Sequence, residues 1–111
     1  MALTRLCALT DIPDGNSTGL SIPDGAYQLS LILVRRDREV FVYRNQCPHE
    51  GDLMQHAPGK FLDDDAKYIL CASHWAVFRI EDGLCVQGPC LGDGLTPYPV
   101  SITNNDVFID V

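Results

Sequence analysis

Two short segments of this chain carry the donors of what reads as one metal centre, and any fold it adopts has to bring them face to face. Cys47-Pro48-His49 sets a thiol and an imidazole one residue apart, and Cys71-Ala72-Ser73-His74 sets another such pair two residues apart. Twenty-one residues lie between His49 and Cys71. Thiolate and imidazole are ligands for iron or zinc. A single Cys/His pair says little. Two pairs, each in a loop between strand-like runs, predict a shared site.

The rest of the sequence supplies β-structure to hold those loops. No window repeats apolar residues at helical spacing for more than about a turn. Short β-rich runs punctuated by turn residues predict an antiparallel all-β sandwich or barrel. Strands are expected over 4–9, 27–34, 40–44, 67–71, 76–81, 84–87, 99–103 and 106–111. Residues 11–25 read as turn-rich, with Pro13-Asp14-Gly15 and Pro23-Asp24-Gly25 as two separate turn signals. One hairpin is expected around Arg36-Asp37-Arg38 and another over Asn104-Asn105. Asp82-Gly83 predicts a type I′ turn, with Phe78 and Ile80 on one face of that hairpin and Arg79 and Glu81 on the other. Two prominent loops remain, 45–66 and 71–75, and each holds one Cys/His pair. The whole of 1–111 reads as one domain.

One thiolate and one imidazole per loop is the ligand set of a [2Fe–2S] centre in which two histidines hold one iron and two cysteines the other. Each loop must then reach both irons, which explains the short spacing within each pair. Pro48 and Gly51 suit tight loops. The chemical rival is a mononuclear zinc site with two sulfur and two nitrogen ligands, although zinc modules more often pair like with like. Cys7, Cys85 and Cys90 read as buried thiols. His56 reads as a surface residue, and Asp63-Asp64-Asp65 as a solvated turn.

Composition narrows the function. Apolar residues make up 46% and charged residues 21%, an ordinary globular balance. No stretch approaches the ~20 apolar residues of a membrane helix, and no secretory signal is recognisable. The expected location is the cytoplasm, where cysteines serve as ligands or buried thiols rather than disulfides. Fifteen acidic residues against eight basic ones leave a net charge of −7, which argues against nucleic-acid binding. The same charge suits steering toward a positively charged protein partner, or serves solubility alone.

Over roughly residues 40–100 the sequence resembles the Rieske ferredoxin family. The resemblance rests on Cys47-Pro48-His49-Glu50-Gly51, on Cys71-Ala72-Ser73-His74-Trp75-Ala76-Val77-Phe78, on Gly83 and on Gly88-Pro89-Cys90. It implies a Rieske fold in which a small cluster-binding subdomain is inserted between strands, with a Gly-Pro loop at about 88–92 covering the cluster. It implies one [2Fe–2S] cluster per chain, with Cys47 and Cys71 on the buried iron and His49 and His74 on the outer one. Two departures stand out: Trp75 occupies a place usually held by glycine, and the gap between the ligand loops is long.

The function implied is a low-potential electron carrier passing single electrons from a reductase to an oxygenase or similar redox enzyme. It has no substrate chemistry of its own, since no nucleophile–base pair is evident. A complete oxygenase would also need a mononuclear iron on two histidines and a carboxylate, for which the chain is too short. The alternative is a small subunit of a larger redox enzyme such as an assimilatory nitrite reductase. Members of that subunit family often lack the ligands, so the presence of all four favours the carrier. High-potential members of the Rieske group carry a disulfide between the ligand loops and hydroxyl donors after the second histidine. Here Asp52 and Ser73 stand at the disulfide positions, Ala76 and Phe78 at the hydroxyl positions, and Glu50 and Asp52 add negative charge. All of this predicts a potential near the low end of about −150 to +300 mV.

Overall fold

One strand lies buried on both faces and organises everything else. The computed structural model describes residues 3–46, 61–63, 65–71, 76–88 and 91–110. Its strands are β1 (Leu3–Ala8), β2 (Ser17–Asp24), β3 (Tyr27–Arg36), β4 (Glu39–Arg44), β5 (Tyr68–Leu70), β6 (Val77–Arg79), β7 (Cys85–Gln87), β8 (Pro97–Tyr98), β9 (Val100–Thr103) and β10 (Asp106–Asp110). In β3 the run Leu31-Ile32-Leu33-Val34 is almost wholly excluded from water. Successive side chains point to opposite faces, so Leu31 and Leu33 enter one core while Ile32 and Val34 enter another. The neighbouring strand β4 divides in the same way. Val40 and Val42 join the first core, and Phe41 and Tyr43 the second.

The β3–β4 pair is therefore a wall between two cores. The described residues form three antiparallel sheets, ordered β2-β3-β4-β8, β1-β10-β9 and β5-β6-β7. On one side of the wall the β1-β10-β9 sheet contributes Leu6, Val107 and Ile109, and Leu9 and Ile12 just after β1 add to them. On the other side lies the small β5-β6-β7 sheet, with Ile69, Phe78 and Cys85 packed beside Phe61, Cys71, Ala76 and Ile80. Each fully buried large aliphatic or aromatic side chain contributes roughly 1.5–3 kcal/mol, so both cores hold the wall in place. The expected all-β fold with a small subdomain inserted between strands is the fold observed. No α-helix occurs among the described residues, only a single 3-10 turn at Leu9–Asp11.

Three local expectations are revised. The stretch 11–25 is not mainly turn, because β2 occupies Ser17–Asp24 and pairs with β3 along its whole length, from Ser17 opposite Val34 to Asp24 opposite Tyr27. It sits at the edge of its sheet, where Pro23 costs no ladder hydrogen bond. The two turn signals mark its flanks, at Gly15 (φ 74°) and Gly25 (φ 61°). At Asp82-Gly83 only Gly83 takes positive φ, at 72°. The connection is wider than a type I′ turn: Arg79 N donates to Leu84 O and Gly83 N to Arg79 O, both at 2.9 Å. Asp82 Oδ1 accepts from Leu84 N at 3.0 Å, which holds the wider loop. The two-residue turn with both φ values positive is instead at Asn104 (52°) and Asn105 (64°). Finally, Cys7 is half-buried rather than enclosed. The expected facing of the β6–β7 hairpin holds, with Phe78 and Ile80 buried and Arg79 and Glu81 exposed.

Candidate metal centre

The necks of the two ligand loops are held side by side. Strand β4 feeds the first loop through Asn45 and Gln46. Asn45 is buried, its backbone N–H donates to Ser30 O at 2.8 Å, and its side-chain amide approaches Ser30 Oγ at 3.3 Å. Gln46 N then donates to Arg44 O at 2.9 Å, which turns the chain out of the β3–β4 ladder. The loop comes back at Phe61, fully buried, whose carbonyl accepts from Leu70 N at 2.7 Å. Leu62 forms a further bridge with Ile69. Strand β5 thus lies against the end of the first loop and runs directly into Cys71.

The second loop closes at its own base, where Cys71 N donates to Ala76 O at 2.9 Å. The Gly-Pro segment leaves β7 at Gly88 and is recovered at Leu91, whose N–H donates to Gly88 O at 3.3 Å. Cys85 N donates to Asp93 O at 2.8 Å, and Leu84 pairs with Gly94, which fixes the returning chain. Segments 47–60, 72–75 and 89–90 therefore all spring from, or return to, the small sheet.

Of the four expected ligands, Cys71 is described, and its side chain is fully excluded from water in the core shared with Phe61, Ala76 and Phe78. Cys47, His49 and His74 lie outside the described residues, as do His56, Trp75, Cys90 and the residues Pro48, Glu50 and Pro89. The remaining described cysteines are placed differently. Cys85 is buried in the same core, and its thiol donates to Gln87 O at 3.3 Å. Cys7 packs on the far side of the wall. Burial pushes its thiol pKa up, the Asp11 and Asp106 carboxylates push the same way, and Arg5 opposes them. A thiol held protonated is a poor metal ligand. Among the described residues, no group of three or more His, Cys, Asp or Glu side chains is arranged to hold a metal.

Asp63 is no free carboxylate. Its Oδ1 accepts from Lys67 N at 2.8 Å and from Tyr68 N at 3.2 Å, shaping the turn into β5. Asp65 is exposed and Asp64 lies outside the described residues. Ala76 and Phe78, which stand where the resemblance places hydroxyl donors in high-potential members, are fully buried in the core that includes Cys71, and neither has a hydroxyl. The sequence reading missed Tyr43, whose hydroxyl is buried and donates to Ile80 O at 2.5 Å. Its alternation with Val42 along β4 was the available signal. Burial is the main cause, and the Asp82 and Glu81 carboxylates are lesser causes, that push its phenol up to about 12.

Two thiolates and two imidazoles are the donor set of the mixed-ligand cluster, and a fully buried Cys71 at a loop base suits a sulfur ligand to a shielded iron. An antiparallel β wall carrying a small sheet with paired Cys/His loops defines a Rieske-type iron–sulfur protein. The chain belongs to the Rieske [2Fe-2S] domain family, whose model matches residues 2–100. As a member it carries one Rieske-type [2Fe–2S] cluster.

Its relatives include the 3-phenylpropionate/cinnamic acid dioxygenase ferredoxin subunits of Escherichia coli (strain K12) and of Shigella boydii serotype 4. Each is 30% identical over 105 residues, spanning 95% of this chain and 90% of the relative. Among solved structures, the ferredoxin of carbazole 1,9a-dioxygenase from Nocardioides aromaticivorans IC177 superposes with a TM-score of 0.76 at 16% identity, covering 98% of this chain and 97% of that one. The terminal oxygenase of carbazole 1,9a-dioxygenase from Novosphingobium sp. KA1 contains the same fold, with a TM-score of 0.81 at 19% identity over 29% of its length. No helix among the described residues is long and apolar enough to cross a membrane.

Proposed function

We propose that Cys47 and Cys71 hold one iron of the cluster and His49 and His74 the other. On this reading the protein is the low-potential ferredoxin of an oxygenase system, taking single electrons from a reductase and handing them to the terminal oxygenase. The observation that carries the reading is the position of Cys71, fully buried at the neck of one Cys/His loop and next to the neck of the other. The names of its relatives support an oxygenase that acts on aromatic substrates. Substrate turnover belongs to that oxygenase and not to this chain.

When bound, the cluster stores and releases one electron. The chain's own residues set the conditions for that exchange. Phe61, Ala76 and Phe78 keep water from the sulfur side, and the side chains of Ala76 and Phe78 have no donor for a hydrogen bond that would favour reduction. The acidic surface, with its net charge of −7, steers the carrier toward basic partners. If the histidine-ligated iron is the outer one, Pro48, Glu50, Trp75 and Pro89, which neighbour the proposed ligands in the sequence, would be the residues to substitute in testing partner docking.

The test is direct. Protein purified without air exposure is expected to hold about two irons and two labile sulfides per chain. Cys47→Ser, His49→Ala, Cys71→Ser and His74→Ala should each lose or destabilise the cluster. Cys7→Ser, Cys85→Ser and Cys90→Ser should keep it. Film voltammetry should give a midpoint near the low end of about −150 to +300 mV, and a value above about +100 mV would overturn the carrier reading. Stoichiometric zinc without labile sulfide would overturn the cluster assignment.

A further inference from the structure

The two ligand-loop necks are tied to each other by a residue in neither loop. Tyr43 lies on β4, the strand that feeds the first loop, and its ring enters the core that holds Cys71. Its hydroxyl reaches Ile80 O at 2.5 Å, in a site closed to water. Ile80 directly follows β6, and β6 begins beside Ala76, the residue whose carbonyl closes the second loop on Cys71 N. A rigid three-residue strand separates the two contacts. Sliding or tilting β6 at Ile80 therefore moves the base of the second loop.

The ring is gripped as well as tethered. A methyl group built on Gly83 would come to 2.8 Å from Tyr43 Cε1, so the backbone of the β6–β7 connection closely approaches the ring. Gly83 O in turn accepts from Leu95 N at 2.9 Å. Another polar tie between the wall and this connection is the Arg36–Glu81 ion pair, which is solvent-exposed and of the kind that contributes little. The buried hydrogen bond from Tyr43 is directional where the apolar packing around it is not.

We propose that Tyr43 is a positioning residue for the cluster, its hydroxyl fixing the strand that leads into one ligand loop against the strand that leaves the other. This rests on the ligand assignment proposed above. The geometry at the irons then depends on the phenolic hydroxyl even though the hydroxyl touches no ligand.

Tyr43→Phe keeps the ring and deletes only the hydroxyl. Val107→Ala, in the core on the opposite side of the wall, serves as the comparison because it loosens the fold without touching either loop neck. In Tyr43→Phe holoprotein, the EPR g values of the reduced cluster should shift or broaden beyond the wild-type line shape. The midpoint potential should move, and chelator-driven iron loss should quicken about fivefold, the factor worth one net hydrogen bond. Val107→Ala should match wild type in g values and potential even if it melts at a lower temperature. Wild-type spectra and potential in Tyr43→Phe would overturn the proposal, and so would equal shifts in both variants. Failure of the ligand assignment is read separately, as cluster retention in Cys47→Ser or Cys71→Ser.

Discussion

Replacing Gly83 with alanine tests the packing between the wall and the small sheet, and a built-in comparison separates the two costs involved. Gly15 and Gly83 share nearly the same backbone conformation, with φ of 74° and 72°. Alanine in that region costs roughly 1–2 kcal/mol, offset by about 0.4–1 kcal/mol from a stiffer unfolded chain. At Gly15 nothing lies within 4 Å of the added methyl, so Gly15→Ala should cost about 1 kcal/mol. At Gly83 the methyl would meet Tyr43 Cε1 at 2.8 Å and Tyr43 Cδ1 and Leu95 Cβ at 3.2 Å. Both neighbours are buried and pinned, and overpacking of this kind adds about 1–3 kcal/mol. For a domain of this size 1 kcal/mol corresponds to about 4–5 °C in Tm. Gly15→Ala should therefore melt about 4–5 °C below wild type and Gly83→Ala about 8–20 °C below it. Unfolding of a cofactor protein is not strictly two-state, so melts should be followed both by far-UV circular dichroism and by bleaching of the visible cluster band. Gly83→Ala should lower the two transitions together. A melting temperature within about 2 °C of the Gly15→Ala protein would show that the ring of Tyr43 does not press on this backbone, and the reasoning would fail.

Two further outcomes are expected. The Tyr43 phenol is pushed up to about 12 from an ordinary 10.0, so the folded state holds its proton more tightly than the unfolded state does. The stability this gives is complete below pH 10 and is lost between pH 10 and 12, at most about 2–3 kcal/mol; urea titrations should show that loss in wild type and not in Tyr43→Phe. Electron transfer from the native reductase should slow as ionic strength rises and the screening length shrinks from about 10 Å at 0.1 M to about 3 Å at 1 M. A stopped-flow rate indifferent to salt would mean that the acidic surface serves solubility alone.

What the sequence makes legible here is what depends on short spacing. The Cys/His pairs point to a Rieske centre because two ligands a few residues apart declare a loop chemistry without any knowledge of the fold. The β3–β4 hairpin and the Asn104-Asn105 turn are legible for the same reason, since turn residues act locally. Strand β2 is not. Its glycine, serines and proline resemble a linker, and only its place at a sheet edge beside β3 makes those residues tolerable as strand. The Asp82-Gly83 connection is misjudged because the carboxylate of Asp82 caps Leu84 N and supports a wider loop than the dipeptide alone specifies. The run Leu31-Ile32-Leu33-Val34 reads as a strand, but that it divides two cores is a tertiary fact. For Tyr43 the alternation along β4 separates its face from that of Val42, but its hydrogen bond is not legible. Nothing near it in the chain reveals that its hydroxyl meets a carbonyl 37 positions away.

The β1-β10-β9 sheet has a consequence for how the protein is made. Strand β1 is synthesised before the other described strands, yet its ladder partner is β10, from Leu3 opposite Asp110 to Ala8 opposite Asp106. At a translation rate of about 5–20 residues per second, β1 waits several seconds for that partner to be synthesised. The small sheet and both ligand loops are complete in the nascent chain before then. Throughout the wait Leu6, Leu9 and Ile12 lack Val107 and Ile109, the far wall of their core. A chain stalled or clipped just short of residue 106 would possess every ligand loop and still present an unzipped first strand to chaperones and proteases. Completion of this core therefore waits on β10, on the opposite side of the wall from Cys71.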